Sequence, residues 1–293
     1  MINPYRFSIG PADAQIAMLQ WGESGKPPAL LLHGTGFVAD VWDEVARELA
    51  STYTVYALDR RGHGASHKPG AYHFLDYADD VCRVIETLEL RDVYGIGHSA
   101  GATDLLLAAK LRPGCFTRLF VMEPTVMDPR AARSGALSDE SLSRVHGTLR
   151  RRAEFENAAA VFARYRAAPA FADWTETSLW AYVRHGFVPL DDGRVKLCCT
   201  PEIESAILCP IYEAMEQVYV GDARGNPFTS LTEIDCPVRV TTAAKSGPIY
   251  KEMSARAVSL IPRVSTLAFD DAGHCVAQEV PQAVVQAVRD FSK

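Results

Sequence analysis

The chain has few positive charges to spare. Its 30 lysines and arginines face 36 aspartates and glutamates, a formal charge of -6. No basic surplus is left to neutralise phosphates, so a nucleic-acid partner is not expected. Long apolar runs are missing as well. None approaches the roughly 20 residues that a membrane-spanning helix needs, and insertion into a bilayer is not expected. Met1–Gly10 lacks a basic stretch followed by a long apolar one, so no signal peptide is expected and the chain is read as cytoplasmic. The seven cysteines contain no paired CxxC of the zinc type. Their odd number, and the adjacency of Cys198 and Cys199, suit reduced and mostly buried thiols; Cys275, next to His274, is read as a packing residue. Internal repeats and low-complexity segments are absent too.

What is there is the make-up of an ordinary globular protein. The 293 residues are 48% hydrophobic and 23% charged, enough for one large domain or for one core with a sizeable insertion. Apolar strand-like runs at Ile16–Trp21, Ala29–Leu32, Tyr53–Leu58, Asp92–Gly97 and Arg118–Met122 alternate with helical spacing over Val38–Ala50, Leu75–Leu90 and Ala102–Leu111. Such alternation predicts a mostly parallel sheet covered by helices on both faces. From about Asp128 to Asn226 the pattern stops. That stretch is rich in charge, alanine and aromatics (Phe155, Phe162, Tyr165, Phe171, Trp174, Trp180, Tyr182, Phe187, Tyr212 and Tyr219), with helical segments and Asp191-Asp192-Gly193 as a turn between helices. After Cys236-Pro237 the alternation resumes with strand Val238–Thr242, a helix near Ile249–Leu260, strand Val264–Phe269 and helix Pro281–Phe291. The expected organisation is an α/β core over 1–127 and 227–293, with a helical cap inserted over 128–226.

The motifs gather at strand ends, where open α/β sheets place ligands. Gly97-His98-Ser99-Ala100-Gly101 is a G-x-S-x-G between a strand and an apolar helix. A serine on that turn is held strained with its hydroxyl exposed, and the glycines are needed because side chains there would crowd the turn. Ser99 is the expected nucleophile. His33-Gly34-Thr35-Gly36 follows the strand Ala29–Leu32 and can turn backbone amides toward a developing oxyanion. The expected donors are the amides of Ala100 and Thr35, with Gly36 as the alternative to Thr35. His274 lies straight after the last strand in Asp270-Asp271-Ala272-Gly273-His274 and is the expected general base, in the chain order Ser, acid, His. Asp59–Ser66, containing His63, reads as a loop that braces the sheet.

Together, His33-Gly34, Asp59–Ser66, Gly97–Gly101 and Gly273-His274 resemble the α/β-hydrolase superfamily, over roughly residues 15–127 and 235–293. The resemblance implies an acid after the seventh strand of the sheet, beyond Val238–Thr242. Ser246 stands there instead, and a serine cannot balance an imidazolium. Glu123 ends the sixth strand in Phe120-Val121-Met122-Glu123-Pro124 and is the expected orienting acid, with Asp128 in reserve. Haloalkane dehalogenases, cap-bearing members of the superfamily, carry their acid after that strand, but they use an aspartate where this chain has Ser99.

The expected activity is that of a serine hydrolase, resembling a carboxylesterase. It would cleave an ester or lactone of a small to medium hydrophobic or aromatic substrate through an acyl-enzyme, with no metal or organic cofactor. No charge cluster marks a recognised acid, phosphate or sugar. The alternatives are a carbon–carbon bond hydrolase acting on a diketone-type ring-fission product, a ligand sensor on the same scaffold, and a cofactor-free lyase or cyclase in which Ser99 is dispensable. Oligomeric state is not encoded in any of these motifs.

Overall fold

The computed structural model describes residues 3–126, 147–209 and 227–292. Its main sheet has eight strands: β1 (Tyr5–Ile9), β2 (Ile16–Trp21), β3 (Pro28–Leu32), β4 (Thr54–Leu58), β5 (Val93–His98), β6 (Phe116–Met122), β10 (Val238–Ala243) and β11 (Val264–Phe269). They lie in the order β1-β2-β4-β3-β5-β6-β10-β11. Strands β4, β3, β5, β6, β10 and β11 run parallel, whereas β1 and β2 are antiparallel to their neighbours. All six parallel strands therefore end on one edge.

Near-continuous apolar strands suit a sheet buried on both faces, because successive side chains point to opposite sides. Ala29 and Leu31 join one core with Trp21, Ile96 and Phe120, covered by the helices Asp43–Leu49 and Pro281–Phe291. Leu30 and Leu32 join the other with Leu105, Val121 and Val238, covered by Phe74–Thr87, Ala100–Leu111 and Pro248–Leu260. β1 carried no readable signal: its burial alternates weakly and Tyr5 is exposed, so only pairing with β2 makes it a strand.

Between β6 and β10 the described residues hold a small sheet beside the expected helices. The helices Ala158–Arg166 and Glu176–His185 are joined by a three-stranded antiparallel sheet of β7 (Glu154–Phe155), β8 (Phe187–Pro189) and β9 (Val195–Leu197), in the order β7-β9-β8. Asp191-Asp192-Gly193 turns the chain from β8 into β9 rather than between helices, with Leu190 accepting from Gly193 and donating to Arg194. Strands of two or three residues are too short for a period-2 pattern to show. Most of the aromatics in this segment pack on one another: Tyr165 stacks on Phe171 at 4.6 Å, and Phe155, Trp174 and Tyr182 are buried. Tyr212, Tyr219 and the reserve acid Asp128 lie outside the described residues. Among the described residues no helix is long and apolar enough to cross a membrane.

Beneath the sheet edge, Arg60 and Asp104 form a fully enclosed ion pair, Nε to Oδ2 at 2.5 Å, with the Arg60 guanidinium 4.2 Å from the centre of the Tyr77 ring. Removing one partner of such a pair strands a buried charge, at a cost of about 3–5 kcal/mol, whereas apolar replacement of both is far better tolerated. Asp104→Leu is expected to lose stability on that scale in urea unfolding, and the double variant Arg60→Met/Asp104→Leu to recover most of it.

Candidate active site

Ser99 sits between β5 and the helix Ala100–Leu111 at φ 54°, ψ -122°, a conformation that L residues rarely adopt. Its amide donates to the Met122 carbonyl at 2.8 Å, which ties the turn to the neighbouring strand. Small residues are obligatory on both sides. A side-chain carbon added at Gly97 would lie 2.6 Å from the Ala102 Cα, and one at Gly101 would lie 2.5 Å from the carbonyl oxygens of Leu32 and His33. Ala100 opens the helix, where the first amides have no intrahelical partner and the helix dipole favours negative charge.

Glu123 follows β6 directly. It too has a positive φ, 46°, and is completely buried. Its carboxylate accepts three bonds: from the Ala243 amide at 2.9 Å, from the Ser246 hydroxyl at 2.7 Å and from His274 Nδ1 at 2.7 Å. The seventh main-sheet strand thus supplies no acid. Its last residue and the loop beyond supply two donors that hold the acid of the sixth. His274 is fixed from other directions as well: its carbonyl accepts from His98 Nε2 at 2.7 Å, and the Tyr250 ring stacks on it with centroids 3.6 Å apart. The Glu279 carboxylate grips both flanking amides, Gly273 at 2.5 Å and Cys275 at 3.2 Å. No hydrogen bond joins the Ser99 hydroxyl to the imidazole. Such contacts are often long in ligand-free sites.

Residues 29–287 match the alpha/beta hydrolase family. The chain belongs to that family. It is similar to 2-(acetamidomethylene)succinate hydrolase of Mesorhizobium japonicum, with 26% identity over 279 residues, 92% of this chain and 89% of that protein. A crystal structure of E-2-(acetamidomethylene)succinate hydrolase shares the fold with a TM-score of 0.79 at 20% identity, covering 99% of each chain. The non-heme chloroperoxidase of Streptomyces lividans is 40% identical over 97 residues, 32% of this chain and 35% of that protein, so the chain matches about a third of its length.

In this α/β hydrolase the loop after β3 is held by two buried histidines. His33 donates from Nδ1 to the Gly34 carbonyl at 2.8 Å and accepts the Arg60 amide on Nε2 at 3.1 Å. His63 donates from Nδ1 to the Arg61 carbonyl at 3.0 Å and accepts the Gly36 amide on Nε2 at 2.9 Å. These partners assign neutral tautomers to both rings. They also correct the reading of Gly36 as an alternative oxyanion donor: its amide is already engaged, and the Thr35 amide makes no hydrogen bond to a described residue. Asp59 braces the same region, accepting the Ala39 and Ala65 amides at 2.7 and 2.8 Å. The thiol of Cys275 is enclosed and pushed up to about 12 by burial, which leaves it protonated beside His274.

Sequence reasoning did not find His98, Tyr250 or Glu279. His98 is the first of the two variable positions of the G-x-S-x-G, and the other two residues lie on helices whose docking no local pattern reports. It also missed a charged pair from the segment between β6 and β10, Arg151 and Glu204, which are 53 positions apart and hydrogen-bonded through Nη1 and Oε2.

Burial holds His33 and His98 well below the ordinary histidine value and takes His63 down to about 3; neighbouring positive groups, such as Arg60 beside His63, add to the effect. An unfolded chain protonates these rings near pH 6.5, and the folded chain refuses the proton. Their contribution to stability is therefore present above pH 6.5 and is lost as pH falls below it, for His63 down to about 3. Burial also pushes Asp59 and Asp104 up, with the opposite effect on stability, so the rings themselves are the direct readout. Histidine ring NMR is expected to show three resonances unmoved between pH 8 and 6. A folded protein in which all eight rings titrate there would contradict the assigned tautomers.

Proposed function

We propose that the protein is a serine hydrolase, carboxylesterase-like, that cleaves an ester or lactone of a small to medium hydrophobic or aromatic substrate through an acyl-enzyme. The observation that carries this reading is the buried Glu123 carboxylate bonded to His274 Nδ1 at 2.7 Å, one strand from the elbow that presents Ser99. With Nδ1 committed to the carboxylate, Nε2 is the ring atom left to receive the Ser99 proton. Ser99 Oγ attacks the substrate carbonyl as that proton moves to His274. The Ala100 and Thr35 amides bind the oxygen that becomes negative, and the helix N-terminus at Ala100 adds to that field. His274 then returns the proton to the leaving alcohol. Water attacks the acyl group with His274 again as base, releasing the acid and restoring Ser99.

Glu123 holds the imidazole in one tautomer and stabilises the imidazolium formed in each half-reaction. Ser246, placed where the commoner arrangement of the family has its acid, serves this carboxylate as a donor. The similarity to 2-(acetamidomethylene)succinate hydrolase, a protein named for hydrolysing a small molecule, supports the coarser part of the proposal, hydrolysis of a small substrate.

Turnover and acyl-enzyme trapping on a panel of aryl and alkyl esters test the assignment. Ser99→Ala is expected to lose the burst and the trapped adduct. Glu123→Gln, which keeps the shape but not the charge, is expected to lower kcat by about 10³–10⁴-fold. Full activity in Glu123→Gln would sink Glu123 as the acid and leave Asp128. Absence of all ester turnover in the wild type would move the reading to carbon–carbon cleavage or sensing. For Ser246→Ala, kcat/KM is expected to fall about tenfold, the scale of one hydrogen bond to a charged group.

A further inference from the structure

The loop expected to bind the oxyanion meets the segment between β6 and β10 at a charged pair. Gly36 has a φ of 84°, and a side-chain carbon added there would sit 3.5 Å from Glu204 Oε1 and 3.7 Å from Arg151 Nη1. Two residues earlier in the same turn, closed by the Phe37 amide on the Gly34 carbonyl, a carbon added at Gly34 would sit 3.2 Å from the Ser99 Cβ. One face of this turn therefore looks at the candidate nucleophile and the next looks at the Glu204 carboxylate and the Arg151 guanidinium together. The turn is pinned in that position, because the Tyr182 hydroxyl donates to the Gly36 carbonyl at 2.8 Å and the Gly36 amide donates to His63.

The Arg151 side chain is about one-third exposed and Glu204 about one-eighth, so the arginine is the more open of the two. Burial works against the Arg151 charge, the Glu204 carboxylate opposite and the Tyr165 hydroxyl support it, and burial pushes the Glu204 carboxyl up. The pair is half-buried, with its carboxylate the more enclosed partner, and an ion pair of that kind stabilises a fold poorly compared with apolar packing. Next to a hydrolytic centre, a guanidinium is suited to a planar carboxylate, with several donors in a fixed fork.

Resting on the hydrolase reading above, we infer that Arg151 is the specificity residue of this site and that the substrate carries a carboxylate. The substrate carboxylate docks on the Arg151 guanidinium in exchange for Glu204, which holds the arginine in place while the site is empty. The ester carbonyl then lies over the Gly34–Thr35 turn, within reach of Ser99.

Two pairs of esters place the charge on either side of the scissile bond. They are 4-acetoxybenzoate against 4-acetoxybenzamide, and the 4-nitrophenyl monoester of adipic acid against 4-nitrophenyl hexanoate, each corrected for spontaneous hydrolysis. The wild type is expected to prefer the carboxylate member of at least one pair by about ten- to hundredfold in kcat/KM, the range of a charge-assisted hydrogen bond. Arg151→Met is expected to abolish that preference, and the double variant Arg151→Met/Glu204→Gln, which strands no charge, is expected to show the same loss of preference. Glu204→Gln is expected to widen the preference, a direction that mere damage to the fold does not produce. Inhibition of the wild type by adipate, and not by adipamide, reads the same selectivity without a variant.

Equal rates within both pairs in a wild type whose activity depends on Ser99 would overturn this inference and leave the hydrolase reading standing. So would a preference that survives in Arg151→Met, or a parallel loss on both members of a pair. Hydrolysis of none of the four esters would overturn the ester-hydrolase reading itself.

Discussion

A buried carboxylate needs donors, and the Glu123 side chain is where the ends of three strands are made to meet. It has no contact with solvent, yet it receives an amide from the end of β10, a hydroxyl from the loop beyond, and the imidazole that follows β11. An ionised carboxylate without such partners is too costly to bury. The requirement runs both ways. The loop after β10 must stop with Ser246 facing β6, and the loop after β11 must bring His274 Nδ1 to the same oxygen. Register contributes the rest, since Met122 pairs with Thr241 and the Glu123 amide donates to the Thr241 carbonyl at 3.0 Å. The two non-glycine residues with positive φ at this edge, Ser99 and Glu123, end adjacent strands, and each strained turn is held by bonds to its neighbour.

Around that carboxylate, the loops are fixed mostly by neutral histidines and by bonds to the backbone. His33 and His63 hold the turn after β3, and His98 holds the main chain at His274. A protonated ring could not accept the amide that His33 or His63 accepts, so burial, which keeps these rings neutral, is part of what shapes the site. One consequence is chemical. By engaging the Gly36 amide, His63 leaves Thr35 as the amide of that turn placed beside Ala100 in the proposed mechanism.

The segment between β6 and β10 is fastened to this edge rather than laid loosely over it. Tyr182 bonds Gly36, the Thr175 amide bonds the Gln278 carbonyl, and Glu44 accepts from the hydroxyls of Thr175 and Ser178. Phe37, one residue beyond the turn, packs edge-on against Trp174 and Tyr182. An aromatic-rich stretch thus becomes chiefly a packed wall, and the group that it turns toward the turn is a charged pair.

The parallel core was legible in the sequence because its signals are local. Apolar runs at Ala29–Leu32 and Val264–Phe269, helical spacing over Leu75–Leu90 and glycines flanking Ser99 all act within a few residues, and the observed elements match them closely. The short strands β7, β8 and β9 gave no such signal, and β1 exists only through its pairing with β2. By itself the sequence determined the alternation of strands and helices in the parallel core, the elbow at Ser99 and the placing of Glu123 and His274 at strand ends. Tertiary structure alone decided that Ser246 donates to Glu123 instead of replacing it, that the Gly36 amide is taken by His63, and that Arg151 meets Glu204 beside the turn. Each of these contacts joins residues 27 to 123 positions apart, and hydrogen bonds of that kind depend on how loops dock across a sheet edge, which no periodicity within a single segment records.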